Sequence, residues 1–443
     1  MLIGLPVVQF LPFCGWRYDL SQVGALADVI VPSGSALTPC QQDELYRLHP
    51  CNAVRLTHNR PEPDDAGITA PARRADDFFR LWRREGILIR DHAAAWYVLQ
   101  TLTPWKGETA ARWGLLGLLP LENPLGQPRN AAATQPSSPQ EIARLLQLQT
   151  TCRADFAPVC LFAEDSMAAD ESLEELLQRL TRPITPTECW LDSGIRHRLW
   201  TVTEPAAIAA IAQRLDHLHL SLFDGAAAFQ ASAKLLSTLR SAGESGGVEQ
   251  PAARRLACLL PAENLSTCFL PRIHRFDGPA FTGPQLRSAA EHIPGLLCQF
   301  VGNESFALID ALELAGLNSD QPCLAIGTSD GEWQLLSAPA RCRTLQQLRD
   351  LIATELLKMP WSTAVEQPVS APLQPENATI QAAAGCVLLA TQVSTAGETG
   401  ISGLPCAIPQ YSELDLQLWP PVPSGLVFSA HSDRVDSVPG SSL

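Results

Sequence analysis

Residues 220–229 read L-S-L-F-D-G-A-A-A-F, which predicts a short apolar strand, a turn at Asp224 and Gly225, and a helix that begins near Ala226. A strand that turns tightly into a helix aims free backbone N–H groups and the positive end of the helix dipole at one point, where anions bind. Enzymes that use this geometry usually add His, Lys or Arg in the first helical turn. Here that turn holds three alanines, so the pattern predicts the frame of a phosphate site without its charged side chains.

Two other places hold side chains that suit phosphate chemistry. His274 and Arg275 are adjacent and can bind a phosphate or a carboxylate, and Glu122 can act as a general base. Glu122 and His274 are therefore the candidate catalytic residues, provided that they meet Asp224 and Arg275 in one cleft. Asp224 has a second interpretation, because an aspartate just before a helix is a common N-cap.

Several segments show a resemblance to a known family. They are residues 13–18 (F-C-G-W-R-Y), 41–46 (Q-Q-D-E-L-Y), 49–56 (H-P-C-N-A-V-R-L), 86–91 (G-I-L-I-R-D), 194–200 (G-I-R-H-R-L-W) and 423–428 (P-S-G-L-V-F). In these segments the chain resembles the bacterial proteins grouped as DUF1015, and the resemblance spans nearly its whole length. The family's hallmark reads roughly A-D-G-H-H-R-Y-E-T-A, of which this chain keeps the D-G at Asp224 and Gly225.

The polar motifs of the family are much less complete in this chain than its frame. The family's P-P-Y-D-V-I appears as P-S-G-S-A-L at residues 32–37, and its H-E-x-T motif keeps only Glu122. Its M-P-x-K-S-T-Y-F segment appears at 404–411 without the lysine, whereas His274 and Arg275 match its P-T-H-R. The ligand-binding positions that the resemblance implies are Asp224, Gly225, Arg275, His49, Asn52 and Arg55. Arg55 has an alternative role, as an ion-pair partner of Asp43 or Glu44.

The resemblance extends more distantly to the ParB and sulfiredoxin group, which binds nucleotide phosphates and includes kinases acting on free serine. Charge is lost at four motif positions, which favours a non-catalytic binding or scaffold protein with a degraded phosphate or nucleotide site. The alternative is a serine-kinase-like phosphotransferase that uses replacement residues in the same cleft. No cofactor is predicted for the first hypothesis, whereas the second implies Mg²⁺ and a nucleotide or pyrophosphate. The implied partners are another protein, such as an active paralogue, or a small phosphorylated ligand.

Composition limits the environment and the partners. The 443-residue chain has a net charge of −14, and its 32 basic residues are scattered, which argues against binding to a nucleic acid backbone. No apolar run reaches membrane-spanning length. The thirteen cysteines include no C-x-x-C pair, so buried, reduced thiols and a cytoplasmic location are expected.

Helix and strand patterns alternate along the chain, which predicts an α/β or α+β fold with mixed sheets, flanking helices and two or three lobes. The resemblance adds a ParB/sulfiredoxin-like strand-turn-helix to the central part. We predict a main body over 1–359, a linker or loop over 360–377, a C-terminal segment over 378–429 that completes the fold, and a disordered tail over 430–443.

Start and stop signals predict individual helices. Ser138 and Glu141 form a capping box for a helix that runs to about Leu148, and Asp170 caps a helix that runs to Leu180. Further helices are expected from Pro205 and from Ala226, the latter to about residue 240, with a strand over 218–223 between them. His197, at the start of another strand, is expected to be an edge residue rather than a base.

Overall fold

The computed structural model divides the chain into two compact units. Unit 1 consists of Met1–Ala262 and Pro420–Leu443, and unit 2 of Glu263–Trp419. The structure describes residues 10–31, 37, 39–65, 67, 69–105, 108–122, 138–165, 171–216, 218–243, 251–261, 269–271, 273–277, 281–303, 307–308, 311–312, 314–315, 322–343, 345–356, 358, 386–391, 416–418 and 421–431. The predicted linker over 360–377 lies outside these residues, as does the predicted tail from 432 onward. Among the helices described, none is long and apolar enough to cross a membrane.

Unit 1 is built around a seven-stranded mixed sheet with the order β7-β8-β3-β4-β10-β6-β9. All neighbours are antiparallel except β10 and β6, which run parallel. Two small antiparallel pairs, β1-β2 and β18-β5, complete the unit. The strands are β1 Trp16–Tyr18, β2 Leu88–Arg90, β3 Trp96–Trp105, β4 Glu108–Pro120, β5 Ala154–Asp155, β6 Val159–Asp165, β7 Thr187–Trp190, β8 Arg196–Val202, β9 Leu218–Asp224, β10 Arg254–Pro261 and β18 Ser429–Ala430.

Helices flank this sheet. They are α1 Leu20–Val23, α2 Pro39–Leu48, α3 Val54–Thr57, α4 Ala70–Arg84, α5 Pro139–Cys152, α6 Leu173–Thr181, α7 Pro205–Leu215 and α8 Ala226–Ser241, with short 3₁₀ turns at Leu26–Asp28 and Pro251–Ala253. The helices predicted from Pro205 and Ala226 are confirmed, and so is the strand between them. The Glu204 carboxylate caps α7 by accepting bonds from the amides of Ala206 and Ala207, at 3.1 and 2.7 Å.

Two predicted helix starts are corrected. The N-cap of α6 is Ser172, in a capping box with Glu175, and not Asp170, which lies outside the described residues. Ser138 does stand at the N-cap of α5, but its side chain makes no capping bond. Glu141 instead binds Arg144 on the exposed side of the helix, so the predicted capping box does not form.

The main core of unit 1 lies on one face of the sheet. Alternate residues of the central strands, such as Trp96 and Val98 on β3, point to this face and pack with apolar residues of α6, α7 and α8. Trp113 and Trp200 stack within this core, and their ring centroids are 5.4 Å apart. The same face therefore buries both strand and helix side chains, as the mixed α/β class predicts.

Unit 2 contains a five-stranded antiparallel sheet with the order β12-β16-β14-β15-β13 and a separate β11-β17 pair. Its core includes Leu286, Leu324 and Leu336. The elements are β11 Phe269–Pro271, β12 Ile273–Asp277, α9 Gly283–Glu291, β13 Leu297–Gly302, β14 Cys323–Gly327, β15 Trp333–Ser337, α10 Leu345–Leu351, a π-helix Ile352–Leu356, β16 Cys386–Thr391 and β17 Leu416–Leu418. With two units and mixed sheets, the predicted fold class is confirmed.

Candidate functional site

The strand, turn and helix of the predicted phosphate frame are all present. β9 ends at Asp224, and Gly225 is the N-cap of α8 with a φ of 88°. Only glycine adopts this left-handed conformation at little cost. A Cβ at this position would also lie 2.9 Å from Cγ1 of Val159, so the close approach of β6 is a second reason for glycine.

The side chains at this helix start offer little to an anion. The N-cap has no side-chain capping bond, and the first turn holds only alanines. The Asp224 carboxylate accepts a bond from the Gly225 amide at 2.8 Å, so Asp224 is not the N-cap that one interpretation of the sequence assigned to it. A carboxylate beside the helix start repels a phosphate, because both are anions.

Two buried thiols lie next to this turn. Cys160 pairs with Asp224 across the sheet, and Cys258 pairs with Cys160 on the other side. Burial raises the pKa of the Cys160 thiol well above its usual value and that of Cys258 to about 12. Such thiols stay protonated and unreactive. The structure describes ten cysteines, all of them free and six of them buried.

A row of buried polar side chains lies on the sheet face that also carries Cys160 and Cys258, and the sequence did not predict it. Thr101 is flanked by His197 on β8 and Arg112 on β4, and all three side chains are buried. Thr101 Oγ1 lies 3.0 Å from Nδ1 of His197. Burial, together with the nearby Arg112 guanidinium, lowers the pKa of His197 to about 3. The prediction of an edge residue is wrong, because β7 separates β8 from the edge of the sheet, and a single-sequence pattern does not show strand order.

Glu122 does not belong to the helix start. Its carboxylate forms a two-pronged ion pair with Arg240, with Oε2 and Nη2 2.7 Å apart. Arg240 is the next-to-last residue of the 16-residue α8, whereas Asp224 precedes its first residue. At 1.5 Å per residue the two helix positions are about 20 Å apart. The structure therefore places Glu122 and Asp224 at opposite ends of α8 rather than in one cleft.

The side chains of the three candidates around residue 50, namely His49, Asn52 and Arg55, bond to backbone atoms of unit 1. The Asn52 amide is buried, donates to the carbonyl oxygens of Asp28 and Ile30, and accepts from the Val54 amide. His49 Nδ1 accepts from the Cys51 amide at 3.0 Å.

Arg55 also has local partners. Its guanidinium donates to the carbonyl oxygens of Pro50 and Tyr46, at 2.7 and 2.9 Å, and lies 4.2 Å from the centre of the Tyr46 ring. Asp43, one of the carboxylates considered for it, pairs with Arg60 instead. These bonds stabilise the turn that leads into α3.

Comparison with known protein families decides the family. A family model described as a protein of unknown function (DUF1015) matches residues 10–291, well over half of the chain. The chain belongs to the DUF1015 family. No curated protein and no solved structure matches it. The DUF1015 match covers nearly all of unit 1 before residue 262 and the first part of unit 2.

The fold brings two DUF1015-like segments together. The amide of Gly15 donates to the Tyr97 hydroxyl at 2.7 Å, and that hydroxyl donates to Asp91 at 2.6 Å. Arg17 binds the same carboxylate, with Nε 2.8 Å from Oδ2. Burial alone would raise the pKa of Asp91, but the bonds from Arg17 and Tyr97 outweigh it and lower that pKa. These residues join β1 to the start of β3.

His274 and Arg275, the DUF1015-like pair, occupy adjacent positions on β12 in unit 2, where they pair with Leu389 and Leu388 of β16. Their side chains lie outside the described part of the structure, so their role stays a prediction. Among the residues that the structure describes, no group of three or more His, Cys, Asp or Glu side chains is arranged to hold a metal ion.

Proposed function

We propose that this DUF1015 protein is a non-catalytic family member that acts as a binding or scaffold protein and carries a degraded phosphate or nucleotide site. The observation that carries the proposal is the start of α8, where the strand-turn-helix frame is intact but the first turn presents only alanines beside Asp224. A frame without positive side chains retains backbone N–H groups but loses most of its affinity for phosphate. We extend the proposal to a ParB/sulfiredoxin-like origin of this frame and to a cytoplasmic location.

The bonding of the retained family residues supports the same proposal. The polar side-chain atoms of Asn52, Arg55 and Glu122 bond to other groups of the protein. Binding to an active paralogue or to a small phosphorylated ligand is the role we propose for what remains.

The phosphotransferase alternative receives less support. It needs Glu122 as a base close to the phosphate at the start of α8, yet Glu122 is paired with Arg240 near the other end of that helix. Any phosphoryl transfer at α8 would need a different base, and Mg²⁺ with a nucleotide or pyrophosphate would have to bind without these carboxylates.

Thermal unfolding with and without ligands tests the proposal. The ligands are ATP, ADP and pyrophosphate, each with Mg²⁺, and serine or phosphoserine, all at millimolar concentration. A ligand with a Kd a hundredfold below its concentration would stabilise the protein by about 2.7 kcal/mol. In a separate assay for phosphoserine, we expect the protein to form none from serine with ATP or ADP. Formation of phosphoserine would contradict the non-catalytic proposal.

Restoring positive charge to α8 provides a sharper test, and the structure decides which positions allow it. Ala228 is buried in the core of unit 1, so Ala228→Arg would bury a charge and destabilise the fold. Ala227 is half-buried and lies outside that core cluster. We expect Ala227→His to increase pyrophosphate binding without producing turnover, with Ala227→Gln as the uncharged control. Turnover in Ala227→His would show that one side chain was all that the site lacked.

A further inference from the structure

At the β7 end of the sheet in unit 1, part of the core-bearing face is accessible to solvent. On β7, β8 and β3 this face continues beyond the buried Trp200 and Val98 into side chains that are half-buried or exposed. At the same rungs on the opposite face, Cys189, His197 and Thr101 are all buried. We name as the open face the residues Glu188, Trp190, Arg196, Arg198, Gln100 and Leu102.

Trp190 on β7 is the largest exposed side chain of the open face, at 60% exposure. The Arg196 guanidinium stacks on its ring, 3.8 Å from the ring centre, and the indole Nε1 donates to Glu188 at 3.3 Å. These contacts hold the indole in one orientation while leaving most of it in water. Exposed, rigid tryptophans are enriched among the residues that dominate binding energy at protein interfaces.

The charges of the open face are arranged in one network. Glu188 Oε1 accepts from Arg196 Nη2 at 2.5 Å and from Arg198 Nε at 3.0 Å, and Arg198 Nη1 donates to Gln100 at 3.3 Å. Among the six residues of the open face, two guanidinium groups and one carboxylate leave a net charge of +1, within a chain whose net charge is −14. One carboxylate cannot use all ten N–H groups of two arginines. The open face therefore favours a negatively charged partner group.

We infer that the open face is a docking surface for an acidic segment of a partner protein. The inference rests on the binding role proposed above and supplies its surface and the chemistry of its partner. Arg196 and Arg198 would bind carboxylates of the segment, and Trp190 and Leu102 would pack against its apolar side chains. The surface is part of a sheet face with the exposed Trp190 at its edge strand, a shape that suits an extended peptide better than a small molecule.

A binding assay with defined probes tests this inference. The probe is a fluorescein-labelled peptide in which Glu alternates with Tyr, and the control probe replaces every Glu by Lys. Fluorescence anisotropy is measured on the full chain at two salt concentrations. We expect the acidic peptide to bind, the basic peptide not to bind, and the affinity to fall as salt increases.

Variants locate the binding on the molecule. Arg198→Glu and Trp190→Ala should each weaken the acidic peptide about tenfold or more. Arg84→Glu is the matched control, because Arg84 is an exposed arginine on α4 that also pairs with a glutamate. Circular dichroism melts confirm that each variant is folded. Equal losses in Arg198→Glu and Arg84→Glu, or no binding of the acidic peptide to the unmodified chain, would overturn the inference.

A second copy of the chain is the competing occupant. Analytical ultracentrifugation separates the two cases: a dimer abolished by Trp190→Ala would assign the open face to self-association and overturn the acidic-segment inference. The kinase assay of the preceding proposal stays separate, since phosphoserine formation would contradict the non-catalytic function while leaving peptide binding to the open face intact.

Discussion

At the scale of single residues, His197 shows how a polar side chain that looks available in a sequence becomes part of a core. Side chains of its strand alternate between the two sheet faces. His197 points to the face opposite the main core, where it is buried and lies against the Thr101 hydroxyl. A neutral imidazole is the form that suits this place, because burial, and next the positive charge of Arg112, disfavours the protonated form.

This burial predicts a pH dependence of stability. The pKa of His197 is lowered from 6.5 to about 3 in the folded chain, so the unfolded chain binds the proton more tightly. The contribution of neutral His197 is fully present above the unfolded pKa and is lost as the pH falls toward 3. We expect His197→Gln to reduce the slope of the unfolding free energy against pH by up to about 1.4 kcal/mol per pH unit between pH about 6 and 4.

Urea unfolding at several pH values measures that slope, and a constant offset from the substitution itself does not affect it. His292→Gln changes an exposed histidine on unit 2 and serves as the control. An unchanged slope in His197→Gln would mean that His197 is already protonated in the folded chain.

At the scale of elements, the two helix starts with a serine N-cap differ in a way that only contacts show. Ser172 accepts from the Glu175 amide, and Glu175 in turn accepts from the Ser172 amide at 2.9 Å, which closes a capping box at α6. Ser138 has the same residue type and spacing to Glu141, but makes no such bond at α5.

The pair provides an internal comparison. We expect Ser172→Ala to lower the free energy of unfolding by about 1 kcal/mol, because the Glu175 backbone amide loses the hydroxyl that accepts its bond. We expect Ser138→Ala to change it by only a few tenths of a kcal/mol. Denaturant unfolding of both variants measures the difference. Equal effects would show that the capping bond of Ser172 contributes nothing beyond the residue type.

At the scale of the whole molecule, unit 1 is completed by chain that follows unit 2. Phe428 is fully buried among the rings of Tyr18, Phe79 and Phe156, and its backbone bonds with Trp16. Next to it, β18 pairs with β5. Residues 421–431 thus contribute buried side chains and strand pairing to unit 1.

The buried ion pair between Arg255 and Asp155 lies at the same junction. Burial would raise the pKa of Asp155, but the Arg255 guanidinium, together with the neighbouring His431 side chain, outweighs burial and lowers that pKa. His431 Nε2 lies 3.4 Å from Oδ1 of Asp155, so the last described residue of the chain contacts the pair.

Two separate cores predict two unfolding transitions. Phe428→Ala removes a ring from unit 1 and should destabilise that unit by about 3–5 kcal/mol, whereas Leu324→Ala should destabilise unit 2 by about 2–5 kcal/mol. Differential scanning calorimetry should show that each variant lowers a different transition. If both variants lower one shared transition, the two units unfold as one.

Local sequence was enough for the elements around the candidate site. The strand to Asp224, the turn at Gly225 and the helix from Ala226 follow from nearby residues, and the three alanines alone predicted a phosphate frame without charge. Mixed α/β architecture also followed from the alternating patterns. Each depends on interactions within a few positions of the chain, which a single sequence displays directly.

Only the tertiary structure showed which partners the polar side chains contact. Glu122 meets Arg240, 118 positions away, and Thr101 meets His197, 96 positions away. Local spacing shows neither the order of the strands nor which part of a sheet face stays accessible to solvent. The residues around Trp190 likewise do not indicate that its side chain is exposed. Such contacts are set by how the chain packs its cores, and that packing places Glu122 and Asp224 at opposite ends of α8.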